Sequence, residues 1–80
     1  MTPEEKLTRA NRAMQLLDDS LLTEAFDAIE RDHFENILSA SSDEERARLA
    51  AEVRALRNVK ERLRSVITTG KAALARRDTA

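Results

Sequence analysis

The chain contains a single proline and a single glycine in 80 residues, and both lie where a helix would begin or end. Between these two positions the apolar side chains recur every three or four residues, which is the pattern of amphipathic helices. Proline and glycine are the residues that most readily interrupt a helix, so a chain this poor in them favours helices joined by short turns. The sequence therefore predicts an all-α fold.

Capping residues and turns divide the chain into three helices. Thr2 and Ser42 each precede a glutamate by three residues, which forms the capping box of a helix start. Asp19 caps a second helix, and Gly70 is the natural C-cap of the third. The predicted helices span about residues 3–17, 20–39 and 43–69, followed by a partly ordered tail over 70–80.

The turn between the second and third predicted helices is about four residues long, and so short a turn makes its two helices antiparallel neighbours. We therefore expect residues 1–80 to form one domain, a short N-terminal helix followed by a long antiparallel helical hairpin. The apolar face predicted for the third helix consists of Leu49, Val53, Leu56, Val59, Leu63, Val66 and Ile67.

The predicted core is thin, because the chain has no Cys, Trp or Tyr and only two Phe. In a chain of this size one core rarely contributes more than about 3–5 kcal/mol, so oligomerisation is the expected extra source of stability. On the second helix, Phe34 and Leu38 lie about 100° from the centre of the apolar arc, at 100° per residue. This pair needs a third contact, either the first helix or another subunit.

No apolar run reaches the roughly 18 residues of a membrane span, and the N-terminus lacks the hydrophobic region of a signal peptide. We therefore expect a cytoplasmic protein that makes no membrane contact. Its charge is unevenly divided: residues 1–42 carry four basic and nine acidic side chains, whereas residues 43–80 carry ten basic and six acidic ones. Such a division favours folding of one segment against the other, self-association, or binding to a polyanion.

Basic side chains line one edge of the third predicted helix, and Arg46 falls on the same edge. The edge consists of Arg57, Lys60, Arg64 and Lys71, and we call these four residues the basic ridge. Lysines and arginines in a row can contact DNA phosphates without reading sequence. The alternative is a solvated flank that pairs with acidic residues of the second helix or of a neighbouring subunit. Arg76 and Arg77 extend the basic character into the tail.

Neither catalysis nor a metal site is expected. Glu30 and His33 have the E-x-x-H spacing of di-metal helical bundles, but the third helix offers no second copy of it. We therefore interpret His33 as a core or interface histidine and Asn36 as a buried polar group that fixes helix register. The chain has no cysteine nucleophile, second histidine or Gly-rich phosphate loop, which predicts a non-enzymatic protein without a cofactor.

The segments LLDDSLLTEAFDAIE and ALRNVKERLRSVITTGK, joined by a small-residue turn, cover about residues 10–74. Together they resemble short helical proteins that tailed bacteriophages encode near their DNA-packaging genes. Their arrangement is similar to the oligomerisation hairpin of the phage small terminase subunit. By this resemblance and the unpaired arc positions, the oligomerisation residues are Phe26, Ile29, Phe34, Ile37, Leu38, Leu49, Leu56 and Leu63.

The resemblance implies a homo-oligomer, such as a ring, that holds viral DNA and hands it to the large terminase subunit in the host cytoplasm. Double-stranded DNA would be bound non-specifically by the basic ridge, with Arg76 and Arg77 as further contacts, and the tail would contact the motor. The alternative is a small helical module that binds another protein and not DNA, such as a phage-encoded inhibitor or a structural component. A dimeric four-helix bundle with a regulatory role is a third hypothesis.

Overall fold

The computed structural model describes the backbone of residues 1–79 and the side chains of residues 1–76. This part of the chain forms three helices and no strand: α1 (Pro3–Asp18), α2 (Ser20–Ser39) and α3 (Asp43–Thr79). The prediction of an all-α chain with three helices is confirmed.

Each helix begins at a capped residue, as predicted from the sequence. The Thr2 hydroxyl accepts a hydrogen bond from the Glu5 amide at 3.1 Å and donates one to the Glu5 carboxylate, also at 3.1 Å. Asp19 and Ser42 accept from the amide three residues further on, at 2.8 and 3.1 Å. These bonds satisfy amide groups that have no partner inside a helix, so the three starting points are set locally.

The predicted end of the third helix at residue 69 and the partly ordered tail from residue 70 are wrong, because α3 continues to Thr79. Gly70 is buried and has no positive φ, so it is an interior helical residue and not a cap. A Cβ atom built on Gly70 would lie 2.3 Å from the Ala10 Cβ and 2.8 Å from the Lys6 carbonyl oxygen. The glycine is therefore needed where α1 approaches α3 closely, and this packing offsets its poor helix propensity of about 1 kcal/mol.

The long helix α3 sets the shape of the molecule. Its 37 residues extend over about 55 Å at 1.5 Å per residue, and the molecule measures 59 × 24 × 16 Å. α1 packs on the C-terminal half of α3, where Ala10 meets Gly70. α2 lies against the N-terminal half, where His33 bonds to Glu52. The two shorter helices thus lie one after the other along α3, with α2 beside its N-terminal half and α1 beside its C-terminal half.

The buried side chains are few and mostly small. Ala10, Ala13 and Ala73 are at most 6% exposed, and Leu49 and Val53 are each 6% exposed. The alanines and Gly70 build the close contact between α1 and α3, whereas α2 contains no buried residue at all. The core therefore lies between α1 and α3 and on the α3 side of the α2 contact, and α2 keeps Leu21, Ile29, Phe34 and Leu38 exposed.

Two predictions about individual positions are also wrong. Asn36, predicted to be a buried register-fixing residue, is exposed, and Val59, predicted to lie on the buried face of α3, is 49% exposed. Only one helix lies opposite α3 at each level along its length. A two-helix contact covers one face of each helix, so positions at the flanks of an apolar stripe remain in solvent.

Candidate assembly and polyanion-binding surfaces

Most of the basic ridge is engaged within the molecule. The Arg57 Nε donates to the Glu30 Oε1 at 3.1 Å, which joins α3 to α2. The Lys60 ammonium lies 5.2 Å from the centre of the Phe26 ring, a cation–π distance. The Arg57–Glu30 pair is the kind of contact that the flank-pairing alternative predicts, whereas the contact of Lys60 with Phe26 was not predicted.

The remaining ridge positions differ from one another. Arg64 pairs with Glu61 one turn earlier on the same helix. Lys71 is exposed, and within the described residues it makes no ion pair. Arg76 is also exposed, while the side chain of Arg77 lies outside the described residues. Of the ridge itself, Lys71 is thus the cation most accessible to a polyanion.

Arg46 has a structural role at the turn between α2 and α3. Its Nη1 donates to the Ala40 carbonyl oxygen at 2.8 Å, and its Nη2 donates to the Asp43 carboxylate at 2.7 Å. The Ala40 carbonyl ends α2 and Asp43 begins α3, so one guanidinium bridges both sides of the turn. Arg46 therefore stabilises the turn between α2 and α3 and does not extend the basic ridge.

His33 lies between α2 and α3, in agreement with its interpretation as an interface histidine. Its Nε2 is 2.6 Å from the Glu52 carboxylate and its Nδ1 is 2.9 Å from the Ile29 carbonyl oxygen. Both partners are hydrogen-bond acceptors, so the tautomer of the ring decides which of them receives a hydrogen bond. Glu52 is in turn held by Arg48 at 3.3 Å. Among the described residues, no three acidic or histidine side chains are grouped as metal ligands would be.

The predicted oligomerisation residues fall into two groups in the structure. Leu49 is buried inside the subunit, and four others are half-buried: Phe26, Ile37, Leu56 and Leu63. The exposed ones are all on α2, and they are Ile29 at 45%, Phe34 at 50% and Leu38 at 87%. Only this second group offers apolar surface to another molecule.

The exposed apolar side chains of α2 lie on both of its flanks. Ile29 and Phe34 are five residues apart and thus about 140° apart around the helix. Phe34 lines a shallow depression with Val53 and Arg54, whereas Ile29 lies on the other flank of α2. Leu21, which is not one of the predicted oligomerisation residues, is 73% exposed near the start of α2. The surface is therefore two-sided and not a single apolar face.

The fold also redistributes the charges that the sequence divides at residue 42. Residues 1–17 and 60–76, which lie together, carry eight basic and three acidic side chains. Residues 20–59 carry five basic and nine acidic side chains. The molecule therefore has a basic half, formed by α1 with the C-terminal part of α3, and an acidic half around α2. The basic residues of α1 were not predicted as site residues, although they recur every third position in the sequence.

No family model, curated protein or solved structure matches this chain. Within the described residues, no helix is both long enough and apolar enough to cross a lipid bilayer.

Proposed function

We propose that this protein is a non-enzymatic, homo-oligomeric helical adaptor that assembles through the flanks of α2 and holds duplex DNA with its basic half. In this proposal α2 and α3 act as an antiparallel hairpin, and the role is that of a small terminase subunit, which passes DNA to a large terminase in the host cytoplasm. The observation that carries the proposal is the exposure of α2, a 20-residue helix with no buried residue.

Self-assembly is supported by the free energy that the uncovered side chains make available. Fully covering a leucine or phenylalanine contributes about 1.5–3 kcal/mol. Leu38, at 87% exposed, gains nearly all of that amount when a neighbour covers it. Ile29 and Phe34 gain about half of it. The gain per subunit is similar to the whole stability expected of a single small core, so a partner copy is a large stabilising contribution.

The two-sided placement of these residues favours a ring over a closed dimer. A two-fold dimer uses one patch twice, whereas a ring joins one patch to a different patch on the next copy. The flank of α2 with Phe34 and Leu38 and the flank with Ile29 are two such patches on one subunit. Joining them repeatedly gives a ring when the rotation between copies closes.

DNA binding is supported by the polarity of the molecule and not by the basic ridge alone. The net positive charge of the basic half attracts a polyanion at long range, and the attraction weakens as salt is added. In a ring the basic halves of all copies lie at one side, because the assembling flanks belong to the acidic half. A continuous basic rim is a surface suited to the backbone of a duplex.

The alternative is a protein-binding module without DNA affinity, and a specific observation favours it. The Arg57–Glu30 and Arg64–Glu61 pairs occupy ridge cations that DNA would otherwise contact. In that case the flanks of α2 would bind a different protein, as an inhibitor or a structural component would.

Native mass spectrometry of matched variants tests the assembly. We expect Leu38→Glu and Ile29→Glu each to give monomers, because each places a charge in one of the two patches. Mixing these two variants leaves one intact interface, so a ring-forming contact predicts heterodimers in the mixture. Glu35→Gln, an exposed polar change on the same helix but off the faces of Ile29 and Phe34, is the control and should retain the wild-type copy number. A monomeric wild-type protein would contradict the proposed self-assembly.

Duplex DNA binding at about 50 and 200 mM salt separates the adaptor from the protein-binding module. The adaptor predicts binding that weakens steeply with salt, whereas the module predicts no binding at the lower concentration. Arg57→Glu combined with Arg64→Glu then tests the ridge itself. Loss of DNA binding with the oligomer intact supports a DNA-contacting ridge, and loss of the oligomer indicates a ridge that pairs between subunits.

A further inference from the structure

A groove with a volume of about 430 Å³ lies between the start of α1 and the C-terminal half of α3. Its polar lining consists of Lys6 and Arg9 from α1, and Arg62, Ser65 and Thr69 from α3. The groove contains three cations and two hydroxyl groups, and its lining includes no acidic side chain from the described part of the chain. None of these five residues belongs to the basic ridge.

Helix geometry and the close packing at Gly70 bring these groups together. Lys6 and Arg9 are one turn apart on α1, and Arg62, Ser65 and Thr69 follow one another over two turns of α3, so each set shares a face. The two faces meet because α1 approaches α3 at Ala10 and Gly70. Apart from Met1, which precedes α1, the residues that line the groove belong to these two packed helices.

The cations of the groove are not neutralised by the described residues. Within residues 1–76, no carboxylate lies within 4.0 Å of the charged groups of Lys6, Arg9 or Arg62. Two neighbouring acidic side chains are engaged elsewhere: Glu5 accepts from the Thr2 hydroxyl at 3.1 Å, and Glu61 pairs with Arg64.

The groups of the groove retain their donor capacity for a ligand. Arg9 directs one Nη1 hydrogen bond to the Met1 sulfur at 3.3 Å, a weak acceptor. The Ser65 hydroxyl makes no hydrogen bond within the described residues, and the same is true of the Thr69 hydroxyl. Three cations and two hydroxyl donors therefore converge on a space where the described side chains place no acceptor of comparable strength.

We propose that this groove binds a phosphate group, and that the phosphodiester backbone of duplex DNA is its source. Two arginines that can each donate in a bidentate fork, a lysine ammonium and two hydroxyls match the oxygens of a phosphate. The choice of DNA rests on the proposed adaptor function, whereas the phosphate chemistry does not. The groove lies in the basic half, where each copy of a ring would offer one such site to the same duplex.

An NMR titration of the full chain with two separate probes, inorganic phosphate and a short DNA duplex, tests the site. We expect both probes to shift the Arg9 and Arg62 Nε signals while the Arg48 signal, from an exposed arginine in the acidic half, stays in place. Shifts with phosphate alone support the site with a free phosphorylated molecule as its source. An absence of shifts with either probe would overturn the proposal.

Salt-dependent DNA binding by a groove variant and a control variant gives the second readout. Arg9→Ala with Arg62→Ala removes two groove cations, and Arg48→Ala, the control, removes an exposed arginine of the acidic half outside the two assembly patches. The groove variant should lower the slope of log affinity against log salt by about 2, roughly one for each phosphate that it no longer neutralises, and the control should not. Circular dichroism checks that both variants are folded.

The outcomes separate this inference from the adaptor proposal. If the groove variant binds DNA as well as the wild type does, the groove is not the DNA site, although the adaptor proposal stands. If the wild type binds inorganic phosphate in the groove but no DNA, the adaptor proposal fails and the groove remains a phosphate site.

Discussion

Substituting Gly70 by alanine tests the close packing of α1 on α3. The new Cβ would lie 2.3 Å from the Ala10 Cβ and 2.8 Å from the Lys6 carbonyl oxygen. Carbon atoms in ordinary contact are about 3.5–4.0 Å apart, so α1 has to move away by more than about 1 Å. Neither neighbour is the end of a flexible side chain, because one is a β-carbon and the other belongs to the backbone.

Two opposing contributions set the size of the effect. Alanine is favoured over glycine inside a helix by about 1 kcal/mol, which stabilises the variant. Overpacking costs about 1–3 kcal/mol, and we take the upper part of that range because two fixed atoms are involved. The expected net result is a loss of about 1–2 kcal/mol in the free energy of unfolding.

Urea unfolding followed by circular dichroism measures this loss, at a fixed protein concentration because an oligomer's stability depends on it. Ala55→Gly is the matched control, since Ala55 is exposed on the same helix and lacks close neighbours from α1. It should lose about 1 kcal/mol from helix propensity alone.

The sign of the change distinguishes close packing from helix propensity. If Gly70→Ala raises the free energy of unfolding by about 1 kcal/mol, propensity dominates and α1 does not approach α3 as described. Adding Ala10→Gly to Gly70→Ala removes the Cβ–Cβ clash but leaves the contact with the Lys6 carbonyl. The double variant should therefore recover part of the loss, and strict additivity of the two substitutions would contradict direct contact.

Two further substitutions test contacts at the other end of the molecule. His33→Ala removes the bonds to Glu52 and to the α2 backbone and should lower the free energy of unfolding by about 1–2 kcal/mol in urea titrations, since each bond contributes about 0.5–1.5 kcal/mol. If combining it with Glu52→Ala gives only the sum of the single losses, the two side chains are not coupled. Ser42→Ala removes the N-cap of α3 and should cost about 1 kcal/mol by the same measurement, with Ser41→Ala, next to the cap, expected to change little.

The starts of the helices could be predicted because their causes are local. The hydroxyl of Thr2 and the carboxylate of Asp19 each accept a hydrogen bond from an amide three residues away, so both partners lie within a four-residue segment. The all-α class follows from the same kind of short-range information. Hydrogen bonds between residues this close in sequence do not depend on how the helices pack.

The end of α3 could not be predicted in this way, because its cause is a contact between distant residues. A glycine after two threonines is a common helix end, and only the position of Ala10 shows that Gly70 serves a close approach instead. The alanine-rich segment 72–75 is a signal for a continuing helix, since alanine has the highest helix propensity. Sequence alone does not decide between that signal and an apparent C-cap.

The candidate surfaces were predicted in part for a similar reason. The spacing on α3 placed Arg57, Lys60 and Arg64 on one edge. Spacing within one helix does not determine which residues of α2 lie opposite that edge. The packing of α2 against α3 brings Glu30 to Arg57 and Phe26 to Lys60, and so it engages most of the edge inside the subunit. The exposure of Phe34 was predictable because its angle from the apolar arc follows from its position in α2 alone, whichever residues of α3 lie opposite.

The packing of α1 on α3 also explains why the basic half of the molecule contains cations from both ends of the sequence. α1 is separated from the C-terminal part of α3 by more than 40 residues, and each contributes cations to the same half of the molecule. Their repulsion opposes the docking of α1, and the contact that overcomes it is made of alanines and Gly70. Small residues let α1 pack closely on α3, which brings the cations Lys6 and Arg9 near Arg62 around the groove. A bound anion would relieve that repulsion, so ligand binding and the docking of α1 should stabilise each other.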